Sequence, residues 1–485
     1  MRHRELNEEC GVFGIIGTKD AAALTALGLH ALQHRGQEGA GIATYDAAAN
    51  VFHTERRLGL VADNFSDATA LAALNGAAAI GHTRYATQGE TVLRNVQPLY
   101  ADLAHTGVAV AHNGNLTNAL TLKSELVRSG CIFQSTSDSE LFLQLTARSH
   151  QLSIVDKLID AFKQVQGAYA LAILTRDALI GARDPIGIRP LVLGELGGAS
   201  ILASESCALD LIGARFVRDV APGEVVVCRP DGSVESRHFA PPRRPRPCIF
   251  ELIYFARPDS FVDGKSVYEV RKRLGERLAA EAPCEADIVS PIPDSGVPAA
   301  IGFAQASGLP YEMALIRSHF IGRTFIEPEQ RIREAGVKRK HSPNRPVIRG
   351  RRVVLIDDSI VRGTTSRKIA DMVRGAGADE VHLRVACPPI EHPDYYGINT
   401  PSHGELLAHG RDVEEMRRLL GVDSLAFLSV DGLYEAVERR PRDPSSPAYT
   451  DHCFTGAYPT KLVDIEEAAR SASIVQGSFL AAESR

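Results

Sequence analysis

The sequence predicts a two-part protein of mixed α/β and α+β class. A strand-rich first half should form stacked sheets, and a second half should wind strands and helices around a mostly parallel sheet. Three observations lead there. The 485 residues exceed what one ordinary core supports. Up to about Val227, short strands punctuated by Gly outnumber helices, whereas beyond Ile288 strands and helices take turns. Between the two textures, Phe239–Pro247 is basic and rich in proline, which lacks an N–H donor and disfavours regular structure.

In the first half, Gly11–Gly17 is the first strand candidate and the apolar Ala21–Gln33 the first helix. Further strands are expected at Gly107–Ala111, Ala168–Thr175, Leu179–Arg183 and Val225–Cys228. Ser139–Val165 carries Leu141, Leu145, Ile154, Leu158 and Phe162 on helical spacing and reads as one helix. After the linker, strand Ile288–Pro291 precedes helix Pro298–Ala306, and strand Arg352–Ile356 precedes helix Ser366–Arg374. Strand Val381–Ala386, helix Val413–Leu420 and strand Ser424–Leu428 continue the alternation, which argues a doubly wound sheet. The tail from about Arg439, rich in Pro, Ser and charge, is expected to wrap the surface.

A chain that is 44% hydrophobic and 23% charged, with net charge −5, has the make-up of a soluble globular protein. The mild negative balance gives no pull towards nucleic acid or anionic membrane. No apolar run approaches the roughly 18 residues of a membrane span. The polar start, Met1–Glu9, lacks a secretory core, so a cytoplasmic protein is expected. The eight cysteines include no Cys-x-x-Cys pair, and most read as buried, reduced side chains.

The most informative string is Val353–Ser366, in which an apolar strand ends in Asp357 and Asp358. Ser359, Arg362 and Gly363 follow, and then Thr364, Thr365 and Ser366 at the start of a helix. Backbone amides, hydroxyls and a helix N-terminus make a phosphate cradle. The two carboxylates can accept from sugar hydroxyls or hold Mg²⁺. A second loop, Ser290–Pro298, places Asp294, Ser295 and Gly296 between a strand and a small-residue helix, suited either to a plain turn or to a diphosphate. Arg323–Arg352 holds ten Lys/Arg against three Glu, which suits a solvated basic loop or a lid over a polyanion. Arg323 and Lys340 from this stretch, with Arg362 from the Val353–Ser366 string, are candidates for phosphate contact.

The first half offers a nucleophile. Cleavage before Cys10 would expose a thiol and an α-amine on one residue. An α-amine of pKa about 7.7–8.0 can act as base at neutral pH. Asn113 and Gly114, in His-Asn-Gly-Asn, can donate to an oxyanion, or can simply turn a hairpin. Arg84 can fork a carboxylate and Asp138 can pair with an ammonium.

Val354–Ser366 resembles the 5-phosphoribosyl 1-diphosphate (PRPP) motif of type I phosphoribosyltransferases, and more narrowly that of the amidophosphoribosyltransferase family. Tyr254–Ser260 and Gly322–Pro328 resemble that family too. Gln33–Gly41 and Gly181–Pro190 are similar to strings of its type 2 glutamine amidotransferase domain. The resemblance runs from about Leu6 to Val463. It implies a propeptide at 1–9, an N-terminal-nucleophile αββα sandwich at 10–236, a linker at 237–247 and a type I phosphoribosyltransferase fold at 248–485. It implies Cys10, Asn113 and Gly114 as catalytic groups, with Arg84 and Asp138 on glutamine. PRPP would fall to Asp294, Ser295, Gly296, Arg323, Lys340, Asp357, Asp358, Ser359, Arg362, Gly363, Thr364, Thr365 and Ser366, and one Mg²⁺ per subunit to Ser295, Asp357 and Asp358.

Glutamine and PRPP are therefore the expected substrates, ammonia the shared intermediate, and purine nucleotides the feedback ligands. A homo-oligomer, dimer or tetramer, is implied as well, with no nucleic-acid or membrane partner. Tyr85 and Tyr254–Arg257 are candidates for coupling the two ends. Some family members carry a [4Fe–4S] cluster on four cysteines. Cys248 and Cys453 match two of those positions, but Asp394 and Thr450 occupy the others, so a cluster-free form is expected. Two alternatives stand. A glutamine-dependent sugar-phosphate aminotransferase would not need the Asp-Asp…Gly-Thr-Thr-Ser loop. A non-enzymatic PRPP-binding regulator would leave Cys10 unused.

Overall fold

The computed structural model describes residues 10–85, 92–103, 106–318, 341–398 and 402–470. Two antiparallel sheets lie face to face in the first half. One runs, in spatial order, Arg215–Asp219, Val192–Leu196, Ala199–Ala203, Gly11–Ile16, Ala78–Arg84, Gly39–Asp46 and Val51–Leu58. The other runs Val234–His238, Glu224–Cys228, Leu179–Arg183, Gly167–Leu174, Thr106–Leu116 and Leu99–Leu103.

Strand alternation sorts the layers. Successive strand residues point to opposite faces. Val12 and Ile16 face the second sheet, where they meet Ala109, Ala111, Ala170 and Ala172. Phe13 and Ile15 face outward, where Leu29 of helix Ala21–Ala31 covers them. On the second sheet, Val110, Leu171 and Ile173 face outward under Phe142, Leu158 and Phe162. An apolar layer between the sheets and an apolar layer under the helices on each outer face give four layers, helix–sheet–sheet–helix, as expected.

The single helix expected over Ser139–Val165 is two, Glu140–Arg148 and Ile154–Phe162. Polar residues 149–151 end the first. The Ser153 side chain then accepts from the Asp156 N–H and caps the second. Helical spacing continues across the break because both helices bury the same face.

The second half is built on a parallel sheet in the order Ile288–Pro291, Arg352–Asp357, Glu380–Val385, Ser424–Phe427. Helices Val297–Ser307 and Thr364–Gly375 follow its first two strands. Arg352–Asp357 is almost wholly buried, as expected of a central parallel strand. The linker 239–247 has no regular structure. No helix among the described residues is long and apolar enough to cross a membrane.

The tail does not simply wrap the surface. Residues 449–454 are buried, with Tyr449, Cys453 and Phe454 joining the core of the second half. Thr450 bridges to Cys248, and its N–H donates to the Pro247 carbonyl at 2.9 Å. Asp451 accepts from the Tyr434 hydroxyl at 2.8 Å and pairs with Arg442 at 2.6 Å. Three apolar side chains and one satisfied carboxylate outweigh the Pro/Ser composition that surrounds them.

Candidate active sites

Strand register builds the first site. Gly11 pairs with Thr83, so Cys10 and Arg84 stand at adjoining strand ends. Cys10 is buried and its thiol donates to the Tyr85 carbonyl at 3.4 Å. Burial pushes that thiol up to about 11, while Arg84 and the bond to Tyr85 pull the other way. Asp138 and Glu38 raise it further, so Arg84, Asp138 and Glu38 all lie within electrostatic reach of the sulfur. Arg84 donates to the Asn95 carbonyl at 2.9 Å. Asp138 accepts from the Leu116 N–H at 3.0 Å, which ties it to the strand that carries Asn113 and Gly114.

Asn113 is 0% exposed, yet among the described residues neither its side-chain oxygen nor its nitrogen has a hydrogen-bond partner. Buried amides are nearly always satisfied, so an open one marks a place for a ligand. The neighbouring polar groups are engaged. Gln97 accepts from the His112 N–H at 2.8 Å and donates to the Ser139 hydroxyl at 2.9 Å. The His112 ring meets that hydroxyl at 3.0 Å. Gln97 and Ser139 carried no signal of their own in the sequence, because their parts are assigned only by tertiary contacts.

The second site lies at the carboxyl ends of two parallel strands, where open α/β sheets bind ligands. Pro291 pairs with Ile356, so loops 292–296 and 358–363 emerge side by side. The Ser295 hydroxyl donates to Asp358 at 2.9 Å, joining the two loops. Asp357 and Asp358 are buried, and Asp357 accepts from the Asp358 N–H at 3.1 Å. Ser359 donates to Asp358 at 3.3 Å. Gly363 takes φ 73°, a left-handed turn that a side chain would strain, and caps helix Thr364–Gly375. The helix begins two residues earlier than expected, so Thr364, Thr365 and Ser366 form its first turn.

Arg362 sits 3.5 Å from Glu405, and its buried Nη1 has no partner among the described residues. Asp294 pairs with Arg317, and the His341 ring meets the Pro293 carbonyl at 3.2 Å; neither partner was expected. Arg323 and Lys340 lie outside the described residues.

The halves meet across buried charge. Arg35 binds Glu251 at 2.5 Å and also Glu205. Glu205 accepts from the Arg257 N–H at 2.8 Å and the Ser260 hydroxyl at 2.7 Å. The segment Tyr254–Arg257 thus lies on this seam, and Tyr85 lies against Cys10. At the cluster positions, Thr450 donates to the Arg246 carbonyl at 2.6 Å and Asp394 meets His452 at 2.8 Å. Asp394, His452 and Cys453 gather their ligand atoms within 4.8 Å of one another. Two thiols with an engaged threonine and a carboxylate held by two backbone N–H groups do not fit a four-thiolate cluster.

A glutamine amidotransferase domain model matches residues 82–210, and a phosphoribosyl transferase domain model matches 259–397. The amidophosphoribosyltransferase of Rhizobium etli is 58% identical over 464 residues, covering 95% of this chain and 93% of that protein. That of Bacillus subtilis is 48% identical over 458 residues, covering 94% and 95%. The solved structure of glutamine PRPP amidotransferase from B. subtilis, complexed with ADP and GMP, superposes with a TM-score of 0.87 at 46% identity, covering 93% and 98%. The chain therefore belongs to the amidophosphoribosyltransferase family, glutamine-dependent pentosyltransferases of purine biosynthesis.

Proposed function

We propose that Cys10, freed of residues 1–9, hydrolyses glutamine and that residues 10–236 form the glutaminase unit. Because burial favours the protonated thiol, attack needs a base, and the freed α-amine supplies it on the same residue. The sulfur adds to the side-chain amide carbon, ammonia leaves with a proton, and water releases glutamate from the thioester. Asn113 and Gly114 hold the oxyanion, Arg84 the substrate carboxylate and Asp138 its ammonium. The observation that carries this half is that strand register sets Arg84 beside Cys10, while Asp138 is bonded to the strand that bears Asn113 and Gly114.

Residues 248–485, joined through a linker at 237–247, bind PRPP. Thr364, Thr365 and Ser366, with the helix N-terminus and Arg362, take the 5-phosphate. Asp294, Ser295 and Gly296 take the diphosphate, and Asp357, Asp358 and Ser359 the ribose. Arg323 and Lys340 close on the polyanion. The oxygen donors of Ser295, Asp357 and Asp358 suit one Mg²⁺ per subunit, a hard cation that would neutralise leaving diphosphate. Ammonia passes internally, attacks C1 and displaces diphosphate, giving 5-phosphoribosylamine. Positioning and exclusion of water dominate this step. Tyr85 and Tyr254–Arg257 couple the ends. The enzyme acts in the cytoplasm as a homo-oligomer, and purine nucleotides inhibit it, in keeping with the ADP and GMP of the B. subtilis complex.

The test is Cys10→Ala. Glutamine-dependent synthesis should vanish while synthesis from free ammonia persists, and intact mass of the parent should show residues 1–9 removed. Loss of both activities in a folded variant refutes the two-site scheme.

A further inference from the structure

Strand Thr106–Leu116, which carries Asn113 and Gly114, is not supported by the first half alone. A turn from the second half, residues 394–398, lies directly on it. The Asn115 side chain donates to the Tyr395 carbonyl at 2.9 Å. Gly397 has φ +124°, and a Cβ there would stand 3.2 Å from the Gly114 Cα. Backbone therefore meets backbone at the residue whose N–H is read as an oxyanion donor.

One carboxylate shapes that turn. Asp394 Oδ2 accepts from the Tyr396 N–H at 2.8 Å and the Ile398 N–H at 2.7 Å. Its Oδ1 lies 2.8 Å from His452 Nε2, with both side chains buried. Arg189 completes the clamp, donating to the Tyr396 carbonyl at 3.1 and 3.0 Å and standing 3.9 Å from Asp394. Cys453 Sγ rests 3.4 Å from His452 Nε2. The convergence of Asp394, His452 and Cys453 is thus already closed by the 2.8 Å Asp394–His452 contact, beside an arginine that disfavours a cation.

We propose that Asp394, locked by His452, is a positioning residue for the glutaminase site. It holds turn 394–398 so that Gly397 fixes Gly114 and Tyr395 fixes Asn115. The proposal rests on the reading of Asn113 and Gly114 as oxyanion donors.

Asp394→Ala should lower the kcat of glutamine hydrolysis by about a hundredfold, the scale of a small misplacement at a reacting centre. The glutamine KM should hold, because Arg84 and Asp138 are untouched, and ammonia-driven synthesis should persist. Asp394→Asn, which keeps an oxygen for the two N–H groups, should recover most of the loss. Should Asp394→Ala fail to fold, Gly397→Ala applies the same test, since its Cβ would press on Gly114. Equal loss of both activities would reduce Asp394 to general support and overturn the proposal, as would unchanged hydrolysis. Elemental analysis of the purified parent is expected to show no metal that depends on Asp394, and a stoichiometric one would also overturn it. Asn113→Leu is the separate control: full hydrolysis in that variant would refute the oxyanion assignment itself, whatever the Asp394 variants do.

Discussion

Replacing Asn113 with Leu should make the protein more stable and nearly inactive towards glutamine. The Asn113 amide is fully buried, and neither of its polar atoms finds a partner among the described residues. An unsatisfied buried polar group costs about 1–3 kcal/mol. Leucine keeps the γ-branched outline and removes both atoms, so the folded state should gain about that amount. For a domain of about 200 residues, each kcal/mol raises Tm by about 2–4 °C. Losing one preorganised oxyanion donor costs about 2.7–4 kcal/mol, or about 10²–10³ in kcat. The opposite signs are the signature of a side chain kept for chemistry at the expense of stability. Calorimetry and glutamate release from glutamine, each run on parent and variant, check the pair. Ammonia-driven synthesis reports whether the second half is intact. If Tm and hydrolysis fall together, Asn113 is structural support and the reasoning fails; unchanged hydrolysis refutes the oxyanion role.

Two further outcomes follow from other contacts. Asp464 caps helix Ala119–Arg128 from the far end of the chain, accepting from the Leu120 N–H at 2.8 Å and the Thr121 N–H at 3.0 Å. The helix's own Asn118 makes no side-chain cap, so Asp464→Ala should cost about 1 kcal/mol and speed amide exchange at the start of that helix. His82 is buried, and burial, with Arg84 nearby, lowers it to about 3. The unfolded chain then binds a proton that the folded chain does not, so acidification from about 6.5 towards 3 should erode stability by up to about 1.4 kcal/mol per pH unit. His82→Gln should flatten that slope in urea titrations at pH 7 and pH 5; a slope equal to the parent's would refute the assignment.

Much of this was legible in order along the chain. Val353–Ser366 announced strand, acids, turn and helix because each of those is a local preference. Cys10, Asn113, Arg84 and Asp138 stood out through residue type and neighbouring string. The helix boundary at Ser153 was missed because two helices that bury the same face continue one periodicity. The tail was misjudged because composition averages over residues, and burial of 449–454 depends on Tyr449, Cys453, Phe454 and a satisfied Asp451 rather than on the mean. Asp394 looked like a missing ligand, whereas its two backbone N–H bonds and its contact with His452 hold it in a turn.

What the sequence determined by itself was the residue chemistry of each end: a thiol just past a short polar start, and a hydroxyl-rich loop flanked by carboxylates. Both are contiguous, so spacing carries them. What tertiary structure alone decided was the company these groups keep. Register sets Cys10 beside Arg84, parallel pairing joins Ser295 to Asp358, and packing presses Gly397 onto Gly114. Such contacts join residues dozens to hundreds of positions apart. Their energies come from burial and geometry that exist only once both sheets have formed.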